Sequence, residues 1–294
     1  MTATLQWFGT ATWRLIVDGY VIWLDAYINR APTAAPVPER AEDVKAGDAI
    51  LIGHSHFDHI AEAGLLAKNT GATVVGSAHT VDIVVEEGVE LEKTIACVGG
   101  ETLQLGPVSV RVWPSLHGFN ALRPESGNRE WPDPEGRTGA ERAAILRERD
   151  PELLAAAQAH MRNVPSKQQQ DGGPLAYLLE WGDVRLFWHD TPGMVTSSWE
   201  AAAVLRPTHA ILSAAAAFST PNVDGERFDA GQQPFVGHMA RILRAAAVIL
   251  NHHDDWCPPI TFHLPEESFT EHLPEGVRTL FPYTTLFRSR KSVV

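Results

Sequence analysis

Residues His54 to His59 read His-Ser-His-Phe-Asp-His, which places three imidazoles and one carboxylate within six positions. Neutral imidazole and carboxylate are the ligands that a borderline divalent cation such as zinc prefers. The run follows an apolar stretch with the pattern of a strand, Ala49-Ile50-Leu51-Ile52-Gly53, and precedes one with the pattern of a helix. In a tight loop between the two, His54 and His56 can face one ion while Asp58 and His59 face a neighbour. The chemistry this predicts is hydrolysis. Two divalent ions roughly 3.5–4 Å apart share a water and lower its pKa from about 15.7 to near 7, giving a bridging hydroxide without a strong side-chain base. Thirteen histidines bring some into proximity by chance, but H-x-H-x-D-H spacing at a strand end is far more specific than proximity.

That spacing resembles the metal loop of the metallo-β-lactamase superfamily, and the resemblance runs along most of the chain. It implies an α/β fold, an αββα sandwich of two mixed β-sheets with outer helices. It also implies ligands delivered in a fixed order at strand ends. Gly100-Glu101-Thr102-Leu103-Gln104-Leu105-Gly106 leads into Val108, Val110 and Val112 and then Pro114-Ser115-Leu116-His117, so His117 stands as the third ligand of the first ion. Val184 to Trp188 ends in His189-Asp190-Thr191, where Asp190 matches a carboxylate that bridges the ions and His189 replaces the family's usual glycine. Ala246 to Leu250 precedes Asn251-His252-His253-Asp254-Asp255, which aligns His252 with the last ligand. His253 is its alternative, because adjacent strand residues point to opposite faces. Asp25, after Tyr20 to Leu24, is implied to support the metal loop, since bound imidazoles donate their second N–H to an outer acceptor.

The resemblance therefore implies two divalent ions, Zn2+ ahead of Mn2+ or Fe2+, held by His54, His56, Asp58, His59, His117, Asp190 and His252. Asp58 and Asp190 would orient the attacking hydroxide, and His189 or His253 would assist as an acid. The opening hairpin, Asp58-His59-Ile60 followed by Ala61-Glu62-Ala63, and the His252 to Asp255 ending resemble the branch holding L-ascorbate-6-phosphate lactonase and the N-acylphosphatidylethanolamine phospholipase D-like proteins. That implies a small-molecule substrate with a lactone or other carboxylic ester bond. Phosphodiester hydrolysis is the first alternative and calls for extra cations at the pocket, for which Arg123, Arg129 and Lys167 are candidates. β-Lactamase activity and a metal-binding sensor or scaffold without turnover are the others; retention of every ligand argues against the last.

The elements that must position these groups follow from patterning. Strands are expected near 4–8, 13–17 and 20–25, the last two joined at Asp18-Gly19, a strong hairpin signal. A helix is expected at 60–69, a strand at 72–76, a helix at 79–87, and strands at 94–98, 101–105 and 108–113. The second half repeats the alternation, with strands at 175–180, 184–189, 209–213 and 246–251 and helices at 197–204 and 234–245. Residues 1–278 read as one hydrolase domain with an insertion at about 118–173. The insertion is helical from about Ala140 to Met161 and is expected to form a lid or a dimer surface. Thr279 to Ser289, TLFPYTTLFRS, resembles a translated sequencing adapter, so residues 279–294 are expected to be an artefact of an assembled metagenomic sequence.

A net charge of −12 argues against nucleic acid or an anionic membrane surface as a partner, because both reward basic patches. No basic segment followed by an apolar one opens the sequence, and no uncharged run has the length of a membrane span, so a cytoplasmic enzyme is expected. Homo-oligomerisation stays open. Cys97 and Cys257 cannot build a disulfide framework and are expected as free thiols. Cys257 lies near enough to His252 in sequence to stand as a soft ligand.

Overall fold

The computed structural model describes residues 2–120, 133–215, 219–280 and 284–288. Alternating burial builds its central layer. Along Val108–Pro114, Val108, Val110 and Val112 are buried while Ser109, Arg111 and Trp113 are half-buried, and Trp13–Val17 alternates in the same way. Period-two patterning gives each strand one apolar face. Two such faces meet, with Leu15, Ile22 and Leu24 of one sheet packed in a cluster with Val110, Tyr177 and Leu186 of the other.

The first sheet orders its strands Thr284–Arg288, Thr2–Trp7, Trp13–Val17, Tyr20–Leu24, Ala49–Leu51, Thr73–Gly76 and Thr94–Ala96. The early strands pair antiparallel, Leu5 opposite Leu15 and Leu15 opposite Ile22. Asp18 and Gly19 both take positive φ, as a two-residue turn between right-twisted strands requires. From Tyr20–Leu24 outward the pairing is parallel. Parallel neighbours need crossovers, and the helices Ala63–Thr70 and Ala78–Glu86 supply them, packing Leu66 and Ile83 on Trp23 and Ile50.

The second sheet runs Arg278–Leu280, Ala247–Asn251, His209–Ser213, Val184–Trp188, Leu175–Trp181, Val108–Pro114 and Thr102–Leu105. It too is antiparallel at one side and parallel at the other. The helices Thr196–Val204 and Gln232–Leu243 cover its outer face, where Trp199, Phe235 and Met239 pack on Phe187. Ala49–Leu51 and Ala247–Asn251 are buried throughout, as strands covered on both faces must be. The result is the four-layer α/β sandwich expected from the sequence. His54, His117, Asp190 and His252 each lie just beyond the carboxyl end of a strand.

Two expected helices are divided. The stretch near 60–69 begins earlier, as a single turn Phe57–Ile60 ahead of Ala63–Thr70, so Asp58 and His59 lie on a helical turn. The helix expected from Ala140 to Met161 is two, Gly139–Arg149 and Pro151–Arg162. Pro151 cannot continue a preceding helix but suits a first helical position. Asp150 adopts non-helical dihedrals and caps the new helix by accepting the Leu153 N–H. Arg278–Leu280 and Thr284–Arg288, at the segment read as adapter-derived, pair at the sheet edges. Arg123 and Arg129 lie outside the described residues. No helix among the described residues is long and apolar enough to cross a membrane.

Candidate metal centre

Ala49–Leu51 delivers the metal loop through Gly53, where the absence of a side chain is a requirement. A Cβ there would collide with the Asp190 carboxylate. Gly53→Ala is therefore expected to fold while displacing Asp190, with metal affinity lowered by about 10–100-fold, the range for losing an outer partner of a ligand. Competition against a chromophoric chelator reads this, and wild-type affinity would contradict it.

His54 Nε2 lies 3.1 Å from His56 Nδ1, and the His117 ring sits 4.8 Å from that of His54 and 4.5 Å from that of His56. His117 Nδ1–H donates to the Gly118 carbonyl at 2.7 Å, which leaves its Nε2 as the bare nitrogen. A second group forms where His252 Nε2 lies 3.2 Å from Asp58 Oδ2 and 3.2 Å from His59 Nε2. His59 Nδ1–H donates to Asp25 Oδ2 at 2.7 Å, directing its Nε2 into that group. Asp190 joins the two. Its Oδ2 accepts from His54 Nδ1 at 2.7 Å and lies 3.2 Å from His59 Nδ1, while its buried Oδ1 has no hydrogen-bond partner.

These separations fit a metal. Ligands about 2.0–2.1 Å from a tetrahedral ion lie about 3.3 Å from one another, close to the 3.1 and 3.2 Å found here. Three groups gather ligand atoms closely enough to hold an ion: His54, His56 and His117; Asp58, His59 and His252; and His54, His59 and Asp190. Burial, reinforced by neighbouring imidazoles, pushes His54, His56 and His117 below the ordinary histidine range, His117 to about 4, so their rings are neutral and carry lone pairs. Burial alone would raise Asp58, but the His59 and His252 imidazoles hold it well below the usual carboxylate range. His59 is pushed the other way: against burial, Asp58 and Asp25 raise it well above the ordinary value. The carboxylates around His59 thus demand positive charge, which a cation among Asp58, His59 and His252 would supply.

The support for these ligands comes from far along the chain. Asp25 takes a left-handed φ of +55°, and its buried carboxylate accepts the Gly53 N–H at 2.9 Å as well as His59. His252 also lies in the left-handed region, at φ +59°, and its N–H donates to the Thr10 carbonyl at 2.7 Å. Asp254 fixes that contact by accepting the Thr10 N–H and pairing with the Arg30 guanidinium. A titratable prop stands beside this loop. Glu62 accepts the Ile28 N–H at 2.7 Å, and burial pushes its carboxyl up to about 7. In the unfolded chain it would titrate near about 4.3. The folded form therefore binds the proton more tightly, and the stability contributed falls as pH rises from about 4.3 to about 7. Glu62→Gln should flatten this part of the pH–Tm curve, raising Tm relative to wild type more at pH 8 than at pH 5; an equal change at both would contradict the assignment.

Four expected residues are placed elsewhere. His253 stacks on Trp7 with centroids 5.2 Å apart and its Nε2 lies 3.2 Å from Glu266 Oε1, so His252 alone of the pair enters the centre. His189 is fully buried, with Nε2 3.0 Å from Ser115 Oγ and its ring edge-on to Trp199 at 4.7 Å. It does not line the cavity, so neither histidine serves as the acid expected from the sequence. Strand alternation that turns Asp190 inward turns its neighbour out. Cys257 packs with Tyr27 and Trp256, and burial pushes its thiol up to about 12, unlike a ligand thiolate. Lys167 pairs with Glu86 and does not line the cavity.

Six of the seven candidate ligands, all but His54, line a cavity of about 390 Å³, a size suited to a small molecule. Its walls include Phe57, Met161, Val164, Pro192 and Trp256. The helix Pro151–Arg162 reaches this edge and is tied down by a hydrogen bond of 2.9 Å between Tyr27 Oη and His160 Nε2. Sequence reasoning missed Met161 and Arg162 as lining residues. The helical pattern was visible, but not the face it turns to the cavity.

Residues 20–131 match a family model described as a β-lactamase superfamily domain. A metal-dependent hydrolase of Pyrobaculum arsenaticum is 34% identical over 121 residues, 41% of this chain and 53% of that protein. The chain spans about half the length of the curated relatives it matches. Igni18, a metallo hydrolase from Ignicoccus hospitalis, superposes with a TM-score of 0.62 at 16% identity, covering 98% of this chain and 99% of the other. An isothiocyanate hydrolase from Delia radicum gut bacteria gives 0.59 at 12% identity, covering 97% and 99%. The family match includes His54 to His59 and His117 but stops before Asp190 and His252, whose places beside the early cluster come from the fold.

Proposed function

We propose that this chain is a member of the metallo-β-lactamase superfamily, and that it is a dinuclear metal-dependent hydrolase acting on a lactone or other carboxylic ester of a small molecule. The observation that carries the reading is the meeting of two ligand triads, His54–His56–His117 and Asp58–His59–His252, beside one carboxylate, Asp190, at a cavity that all of them but His54 line. Bound divalent ions, zinc in first place, would supply the positive charge that acidifies water and polarises an acyl oxygen.

The chain's own groups do the rest. Asp25 holds the His59 tautomer, and Asp190 holds that of His54, so that both rings present Nε2. Asp58 and Asp190 are ionised and edge the cavity, where they orient water by accepting its hydrogens. Phe57, Met161 and Trp256 exclude bulk water from the acyl group. A largely apolar wall favours a compact ester over a polyanionic backbone.

Loading the purified chain with Zn2+, Mn2+ or Fe2+ and presenting lactones, carboxylic esters and phosphodiesters tests the proposal. Chelator-sensitive turnover of an ester or lactone is expected. Turnover confined to phosphodiesters would overturn the substrate assignment, and metal binding without turnover of any of them would favour a sensor.

A further inference from the structure

We propose that Arg162 reads an anionic group, a carboxylate or a phosphate, at the end of the substrate remote from the bond to be cleaved; the inference rests on the hydrolase reading above. Arg162 closes the helix Pro151–Arg162 and is the one arginine or lysine among the described residues that line the metal cavity. It is exposed. Three cations of the same segment are engaged: Arg137 and Arg142 lie on Asp133, and Lys167 on Glu86. Arg162 has no ion pair or side-chain hydrogen bond among the described residues, in a chain that carries twelve more acidic than basic groups, 36 against 24.

Its position is fixed by its neighbours. Met161 packs against the cluster of Tyr27, Trp256 and Cys257, and His160 is hydrogen-bonded to Tyr27. The final helical turn is thereby anchored to the core with the guanidinium at the cavity edge. The acids within the cavity, Asp58 and Asp190, already face imidazoles and leave the guanidinium without a carboxylate of the protein. A guanidinium presents a rigid fork of donors that matches carboxylate and phosphate oxygens. Phe57, Met161 and Trp256 line the same cavity as the guanidinium and the imidazoles of His56, His59, His117 and His252. The complementary substrate has an acyl group at the floor, an apolar middle and a negative end at the mouth.

The test is calorimetric titration of zinc-loaded protein at low ionic strength, where an exposed charge is least screened. The probes are linear dicarboxylates from succinate to pimelate, each paired with its monomethyl ester, and phosphonocarboxylates of the same lengths. At one chain length the dianion should bind at least tenfold more tightly than the monoester, and the better of the carboxylate and phosphonate series identifies the anion. Arg162→Gln should remove that ratio while leaving metal content unchanged, and Arg162→Lys should restore part of it. A ratio near one at every length in the wild type, or one that survives in Arg162→Gln, would overturn the proposal. Binding needs no turnover, so a ratio that holds in a protein inactive on all esters would defeat the hydrolase reading alone. Ester turnover without the ratio would defeat the Arg162 assignment alone.

Discussion

Replacing His56 with alanine is expected to remove metal and activity together while the sandwich stays folded. The His56 ring faces both His54 and His117, with Nδ1 3.1 Å from His54 Nε2, so its loss reduces the first triad to two ligands. Losing an outer partner of a ligand already costs about 10–100-fold in affinity or activity. Loss of a direct ligand should exceed that, with kcat/KM falling by about a thousandfold or more. The fold has little stake in the ring. His56 is half-buried and its side chain makes no capping hydrogen bond to the helical turn it precedes, so metal-free stability should change by less than about 1 kcal/mol. Elemental analysis, turnover and a thermal melt on one preparation check the three parts, and normal turnover by the variant would refute the ligand assignment.

Asp190→Asn should weaken both metal positions at once. The substitution keeps the shape and removes the charge that His54 and His59 both face. Those imidazoles hold the Asp190 carboxyl well below the ordinary range in spite of its burial, so the anion is the form the site is built around. An amide –NH2 turned toward either ring N–H would leave a buried donor unsatisfied, at a cost of about 1–3 kcal/mol. Affinity at each position should fall by at least about 10–100-fold, with kcat/KM lower by a similar factor or more. Stepwise metal titration resolves the two positions. Unchanged binding at either would exclude the joint role of this carboxylate.

Much of this centre is legible in the sequence because strands and metal loops carry local signals. The apolar run at 49–52 and the spacing of His54 to His59 are properties of neighbours along the chain, and Val108, Val110 and Val112 announce the strand that delivers His117. The choice between His252 and His253 is not local. It is made by the Thr10 carbonyl, which captures the His252 N–H and turns the ring inward, and by Trp7, which stacks on His253. His189 shows the reverse case: a histidine in a glycine's place looks like added chemistry, yet strand alternation sends it to Ser115 and Trp199. Arg162 escapes sequence reasoning because its helix is docked by Tyr27 and His160, more than a hundred residues apart.

The most direct test of the central claim is anomalous diffraction at the zinc absorption edge from crystals of the zinc-loaded chain. Two peaks are expected, one enclosed by His54, His56 and His117 and the other by Asp58, His59 and His252, with Asp190 beside both. A single peak, a pair located elsewhere, or none in fully loaded protein would contradict the account.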